Sequence, residues 1–143
     1  MVESFFKMLI KYSRISDREL TRHCLFFIEE LSHRHVNSHD HPCFCVKFVE
    51  ATLDSIIDSI VWESSSDNDD MIEELRKILD DLMPAIASLA HTKKLVDKIC
   101  NKLQEQNIPL EKIEACIYAM SCVTVHNDKT YFFYDLYKDP DLL

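Results

Sequence analysis

The chain has 143 residues, enough for one domain, and 47% apolar with 10% aromatic residues fits a packed core and excludes a globally disordered chain. Its formal net charge of −9 disfavours direct nucleic-acid binding, where Lys and Arg must neutralise phosphates, and suits a basic protein partner or simply a soluble surface. It contains no glycine, which removes the P-loop, the G-x-G-x-x-G dinucleotide turn and the G-x-S-x-G nucleophile elbow, each of which depends on glycine backbone geometry.

Apolar residues recur at helical spacing in six segments. The first, from about Glu3 to Ile15, carries Phe5, Leu9 and Tyr12 at i, i+4 and i+7, and these are expected inward. Ser16-Asp17-Arg18-Glu19 then reads as a capping box, with the Ser16 hydroxyl capping and Glu19 reaching back. It opens a second helix with Leu20, Cys24, Phe27, Ile28 and Leu31 on one face.

The polar stretch from Ser32 to His41 interrupts the pattern, and Pro42 suits the first turn of a third helix. Cys45, Phe48, Val49, Leu53, Ile56 and Ile60 form its inward face, which fades at Trp62. Residues Glu63 to Asp69 read as a loop. A fourth helix follows with the stripe Ile72, Leu75, Leu79, Leu82, Ile86 and Leu89, and Pro84 is expected to kink it or split it near Leu82. Thr92 is positioned to cap a fifth helix with Leu95, Ile99 and Leu103 inward. Pro109 fits the start of a sixth, with Leu110, Ile113, Ile117 and Met120 inward. After Val125 the period is lost.

The expected fold is therefore all-α. Three antiparallel helical hairpins stack as a short HEAT-like α-solenoid, or close into a compact helical bundle. The helical domain spans residues 1–125, and residues 126–143 form an aromatic and acidic C-terminal tail that packs on the domain or extends it. No apolar run approaches the roughly 18–20 residues that span a membrane, so no membrane partner is expected. The opening Met1-Val2-Glu3 lacks the basic and then apolar pattern of a secretory signal. An intracellular chain is the expectation.

The order of helices and one local stretch resemble the central HEAT repeats of the importin-β superfamily of nuclear transport receptors, in particular its transportin-SR-like branch. The stretch is Ile108-Pro109-Leu110-Glu111-Lys112-Ile113-Glu114-Ala115-Cys116-Ile117-Tyr118-Ala119-Met120. Glu111, Glu114 and Ala115 follow that branch's pattern of a proline, a large residue, an acid and then Glu-Ala, while Leu110 stands where the family usually has tryptophan. Upstream, Met71 to Leu89 followed by Thr92 to Gln106 is similar to the family's long-helix, short-helix pair. The resemblance extends from about Phe5 to Val123. It implies an α-superhelix that wraps a protein partner, in the nucleus or the cytoplasm. It covers neither the Ran-binding arch nor the C-terminal arch of such receptors, so no Ran-binding residue carries over. A scaffold or adaptor within a nuclear or RNA-linked complex is what it implies. The alternative is a Bcl-type bundle that captures an amphipathic helix, although that family's Asn-Trp-Gly-Arg motif is absent.

Three constellations carry the residue types of a site. His33, His35, His39, His41, Cys43 and Cys45 are zinc-type ligands, but their spacing is not that of a known finger. Cys45 also lies on the third helix's inward face, so the segment is read as a solvated connection and no metal or other cofactor is expected. Asp67, Asp69, Asp70, Glu73 and Glu74 complement the dipole at the start of the fourth helix and form a candidate docking patch for a basic segment. Phe132, Phe133, Tyr134 and Tyr137 either cap the last hairpin or form a partner hot spot. No spacing of Ser, His and Asp sets a nucleophile beside a base, so a non-enzymatic protein is expected, without catalytic residues. Cys24, Cys100, Cys116 and Cys122 read as small buried hydrophobes.

Overall fold

The computed structural model describes residues 2–15, 17–34, 41–63, 69–86 and 89–124. Within them the chain is all-α, with α1 (Val2–Ser13), α2 (Arg18–Arg34), α3 (His41–Ser59), α4 (Asp69–Ile86), α5 (Leu89–Leu103) and α6 (Leu110–Thr124). No strand occurs among the described residues. The expected tail, 126–143, lies outside them.

α3 is the central element. It packs against α1, α2, α4, α5 and α6. Its apolar residues explain this position, since Cys45, Phe48, Val49, Leu53, Ile56, Ile57 and Ile60 are all buried and point to more than one side of the helix. α1 packs on α2 and α3, whereas α6 packs on α3, α4 and α5. α2 lies along α4, and α5 pairs with α6. These relations are compatible with a short stack of hairpins and with a bundle. α4 carries the most regular stripe, with Ile72, Leu75, Leu79, Leu82, Met83 and Ile86 buried.

Helix ends are closed by polar side chains. The Asp17 carboxylate accepts from the Glu19 and Leu20 amides at 3.0 and 3.2 Å, which makes Asp17 the N-cap of α2 in place of Ser16. Glu19 then occupies the second helical position, one short of what a capping box needs. The C-terminal carbonyls of α3 are met by two arginines: Arg18 Nε donates to Ser59 O at 3.0 Å and Arg76 Nη2 to Ile60 O at 2.7 Å. Cations suit that end of the macrodipole. Between α5 and α6 the backbone turns through Asn107 at φ 60°. Asparagine tolerates this left-handed conformation best after glycine, which this chain lacks.

Several expected details differ. α4 runs through Pro84 to Ile86 and does not split near Leu82. Leu82 and Met83 are buried there, and that burial offsets the loss of the proline N–H. Leu89 opens α5 instead of extending the α4 stripe, which places Thr92 inside the first turn, buried, and not at the cap. On α1 it is Phe6 that enters the core, stacked on Phe44 at 4.9 Å, while Phe5 and Tyr12 lie exposed. On α2, Phe27 is exposed and Leu25 is fully buried.

The largest correction concerns α6. Leu110 and Ile117, expected inward, are 76% and 58% exposed, and Ala115, Cys116, Ala119, Cys122 and Val123 form the buried face. Both sets obey helical spacing. The small residues won because they let α6 approach its neighbours closely, as interaxial distance follows side-chain size at the contact.

Candidate functional site

One polar cluster orients α6. Arg76 on α4, 8% exposed, spans the gap to it. Arg76 Nη1 and Nη2 donate to Glu114 Oε1 and Oε2 at 2.7 and 2.6 Å, a bidentate pair. The guanidinium carbon lies 4.9 Å from the Trp62 ring centre and 4.5 Å from that of Tyr118, so two aromatic faces hold it. These hydrogen bonds from Arg76 hold the Glu114 carboxyl below the usual carboxylate range, against the opposing effect of burial.

One turn further, the Tyr118 hydroxyl donates to Asp80 Oδ2 at 2.8 Å and lies 3.1 Å from the Arg76 carbonyl, a second acceptor for the same proton. The Cys122 thiol donates to Asp80 Oδ1 at 3.1 Å. Burial, then the bond to Asp80, pushes the Cys122 thiol up to about 12. It is therefore held protonated, the opposite of what a nucleophile or metal ligand requires.

With α6 pinned in this rotation, Leu110 and Ile117 face out, while Met120 packs against the core. Leu110, Ile113, Glu114, Ile117, Tyr118 and Ser121 line a shallow apolar groove of about 330 Å³. Glu111 and Asp80 are exposed, and Glu114 lines the groove. A second apolar strip lies on α1 and α2. Phe5, Met8 and Tyr12 on α1 are exposed, and Phe5 meets Phe27 of α2 edge to face at 5.5 Å. Lys7 and Lys11, also exposed, border that strip.

Of the sites expected from sequence, Asp69, Asp70, Glu73 and Glu74 are exposed on the first turns of α4. Glu74 lies 3.5 Å from Arg22 Nε on α2, so one of the four carboxylates is engaged within the chain. Asp67 lies outside the described residues, as do Phe132, Phe133, Tyr134 and Tyr137. Of the zinc-type ligands, the side chains of His33, His35, His39, His41 and Cys43 fall outside them too. Cys45 is turned into the core, its Sγ 3.8 Å from the Ile28 carbonyl, and burial pushes its thiol up to about 11. Among the described residues no cluster of three or more His, Cys, Asp or Glu is arranged to hold a metal, and no described helix is long and apolar enough to cross a membrane.

A polar pocket of about 280 Å³ lies between α2 and the end of α3, lined by Arg14, Asp17, Arg18, Ser55, Asp58 and Glu63 among others. Its cations are engaged: Arg18 binds the α3 carbonyls and Glu63 at 2.8 Å, and Arg14 donates to Ala51 O at 3.1 Å. The spacing of Leu110, Ile113 and Ile117 places them in the core on sequence alone, which hides the exposed face of α6. The signal was present, since α6 carries two apolar faces and only one of them can be buried.

Comparison of the chain with protein-family models, curated proteins and solved structures finds no match.

Proposed function

We propose that this protein is a non-enzymatic protein-interaction module, a short HEAT-like scaffold or adaptor of the kind implied by its resemblance to part of a nuclear transport receptor. The observation that carries this reading is the outward apolar face of α6, with Leu110 76% and Ile117 58% exposed while the small residues of the same helix are buried. Singly exposed apolar side chains are ordinary, but a contiguous groove of them beside a fixed polar cluster supports reading it as an interaction surface. The thiols of Cys45 and Cys122 are held protonated by their surroundings, which supports binding over nucleophilic chemistry.

The test is affinity capture of the tagged chain from a cell extract, with the Ile117→Glu variant in parallel and with and without excess Ran-GTP. Loss of the captured proteins with Ile117→Glu is expected. Retention in the presence of Ran-GTP identifies a constitutive adaptor, and release identifies a transport-type role. An identical set of captured proteins with the wild-type chain and the variant overturns the reading.

A further inference from the structure

α5 packs chiefly on α6 and more lightly on α3, and α6 meets the rest of the chain through α3 and α4. The apolar hold of α6 on that seam is modest, since its buried face consists of Ala115, Cys116, Ala119, Cys122 and Val123. α4 by contrast buries Ile72, Leu75, Leu79, Leu82 and Ile86, each a side chain whose burial contributes about 1.5–3 kcal/mol.

Polar ties complete the seam, and most of them end on a carboxylate. On α3, Glu50, Asp54 and Asp58 follow one another at i, i+4 and i+8 on one side of the helix. Lys98 Nζ of α5 donates to the Glu50 carbonyl at 2.8 Å, and Lys102 Nζ lies 3.1 Å from Asp54 Oδ1. Lys112 Nζ of α6 lies 3.4 Å from Asp58 Oδ1. On the α4 side, Arg76 holds Glu114, and Asp80 accepts from Tyr118 and Cys122. Asp54, Asp58, Asp80 and Glu114 are thus the carboxylates of these ties. Lys102 lies beside Lys112, and Glu105, in the turn between the two helices, adds negative charge near Lys112. Arg18, Glu63 and Glu111 share a cavity with Asp58 and Lys112.

From this geometry we infer that the α5–α6 hairpin is an acid-releasable unit, which leaves the α1–α4 body in one piece while that body stays folded. Protonation acts on every carboxylate tie in the same direction. Glu114 loses its charge-assisted two-point bond to Arg76. Asp54 and Asp58 no longer neutralise Lys102 and Lys112, whose like charges are then left side by side. A protonated Asp80 keeps one good acceptor for its two donors, Tyr118 and Cys122. The Glu114 carboxyl, held low chiefly by the Arg76 hydrogen bonds, contributes stability that is present at neutral pH and lost on acidification. Supersecondary units commonly open as cooperative pieces. α5 has its main partner in α6, so the two leave together. The release does not depend on what binds the α6 face.

The experiment is native-state hydrogen exchange, read by peptide mass spectrometry on the full chain, from about pH 7 to about pH 3.5, a range that spans ordinary carboxylate titration. Protection is taken relative to the unfolded exchange rate at each pH. Across residues 89–124 it is expected to fall together by at least about tenfold, the factor that one carboxylate shifted by about one pKa unit supplies. Residues 18–34 and 69–86 are expected to stay protected. A variant carrying Asp54→Asn, Asp58→Asn, Asp80→Asn and Glu114→Gln mimics the protonated seam. It is expected to show low protection of 89–124 already at neutral pH, with little further change in acid. Circular dichroism verifies that it folds, and Asp58→Asn with Glu114→Gln takes its place if it does not. Dithiodipyridine, which reacts with thiols in acid, gives a second readout. At the acid end of the range Cys116 and Cys122 of the wild-type chain should react before Cys24 and Cys45, which are buried in the body.

Protection of 89–124 that does not change with pH overturns the inference. So does an equal loss in all the described helices at one pH, since the chain then unfolds as a whole. Loss in 110–124 with 89–103 still protected also overturns it, as does a seam variant whose pH profile matches that of the wild type. None of these readouts involves a partner, so such results leave the proposed function standing. Unchanged capture with Ile117→Glu removes the proposed function and leaves the hairpin release untouched.

Discussion

Arg76 of α4 and Glu114 of α6 face each other in a two-point bond, 2.7 and 2.6 Å, closed on both sides by Trp62 and Tyr118. They are 38 positions apart in the chain. The same guanidinium binds the Ile60 carbonyl at the end of α3, so one side chain ties three helices together. Its fork geometry is needed, since a lysine has no second parallel donor and no planar face to place between two rings. The rotation of α6 is set here, and with it the choice of which apolar residues remain outside.

Replacing Arg76 with Lys should therefore destabilise the fold although the charge is kept. A loss of about 1–3 kcal/mol is expected, the cost of leaving the buried Ile60 carbonyl unpaired. Urea denaturation measures it. A cost within about 0.5 kcal/mol, the size of an ordinary surface change, would show that the bidentate geometry contributes little.

Glu114 predicts the sign of the acid response. Its carboxyl is held below its ordinary value, chiefly by the Arg76 hydrogen bonds. A depressed folded value means that the stabilisation is present above the unfolded carboxylate value of about 4.3 and is lost as pH falls through the lower folded value. The melting temperature of the wild-type chain should drop across that acid window more steeply than that of Glu114→Gln. Parallel curves for the two proteins would remove this pair from the acid response.

The inverted face of α6 is open to a direct check. Ile117→Glu should leave stability within about 0.5 kcal/mol of wild type, because the side chain points to solvent. Ala119→Leu, 1% exposed, should cost about 1–3 kcal/mol by overpacking. Thermal melts of both variants decide, and the reverse order would restore the face expected from the sequence.

Thiol accessibility should follow burial. Cys45 and Cys122, raised to about 11 and about 12, should resist alkylation at pH 8 in the folded chain. Cys100, half-buried on α5, should react before either. Peptide mass spectrometry after brief iodoacetamide treatment reads the order, and early labelling of Cys122 would contradict its bond to Asp80.

The cap of α2 gives a last prediction. Asp17→Ala should cost about 1 kcal/mol, while Asp17→Asn, which keeps an acceptor oxygen, should cost less. Chemical denaturation compares the two. Equal losses would indicate that the charge matters more than the acceptor.

Helix identity and order were readable from residue order. Stripes such as Ile72, Leu75, Leu79 and Leu82 follow a local period, and the break before α6 announced itself through Pro109. The cap of α2 was legible to within one residue, since Ser16 and Asp17 both qualify, whereas the cap expected at Thr92 was not, because α5 begins at Leu89. The expected inward residues of α3 are all buried, but Val46 and Ile57 are buried as well, because that helix sits at the centre and buries nearly everything apolar.

The same local rule was ambiguous for α1 and α6. Phe5, Leu9 and Tyr12 compete with Phe6 and Ile10, and Leu110, Ile113 and Ile117 compete with Cys116, Ala119 and Val123. Size would favour the first set in each case. Packing favoured the second on α6 because close approach to its neighbours needs small side chains, and because Arg76, Trp62 and Glu114, distant in the chain, meet only once the helices are assembled. Periodicity is a property of one helix at a time, whereas the face that turns inward depends on the partners, and that is why the candidate site emerges only from the folded chain.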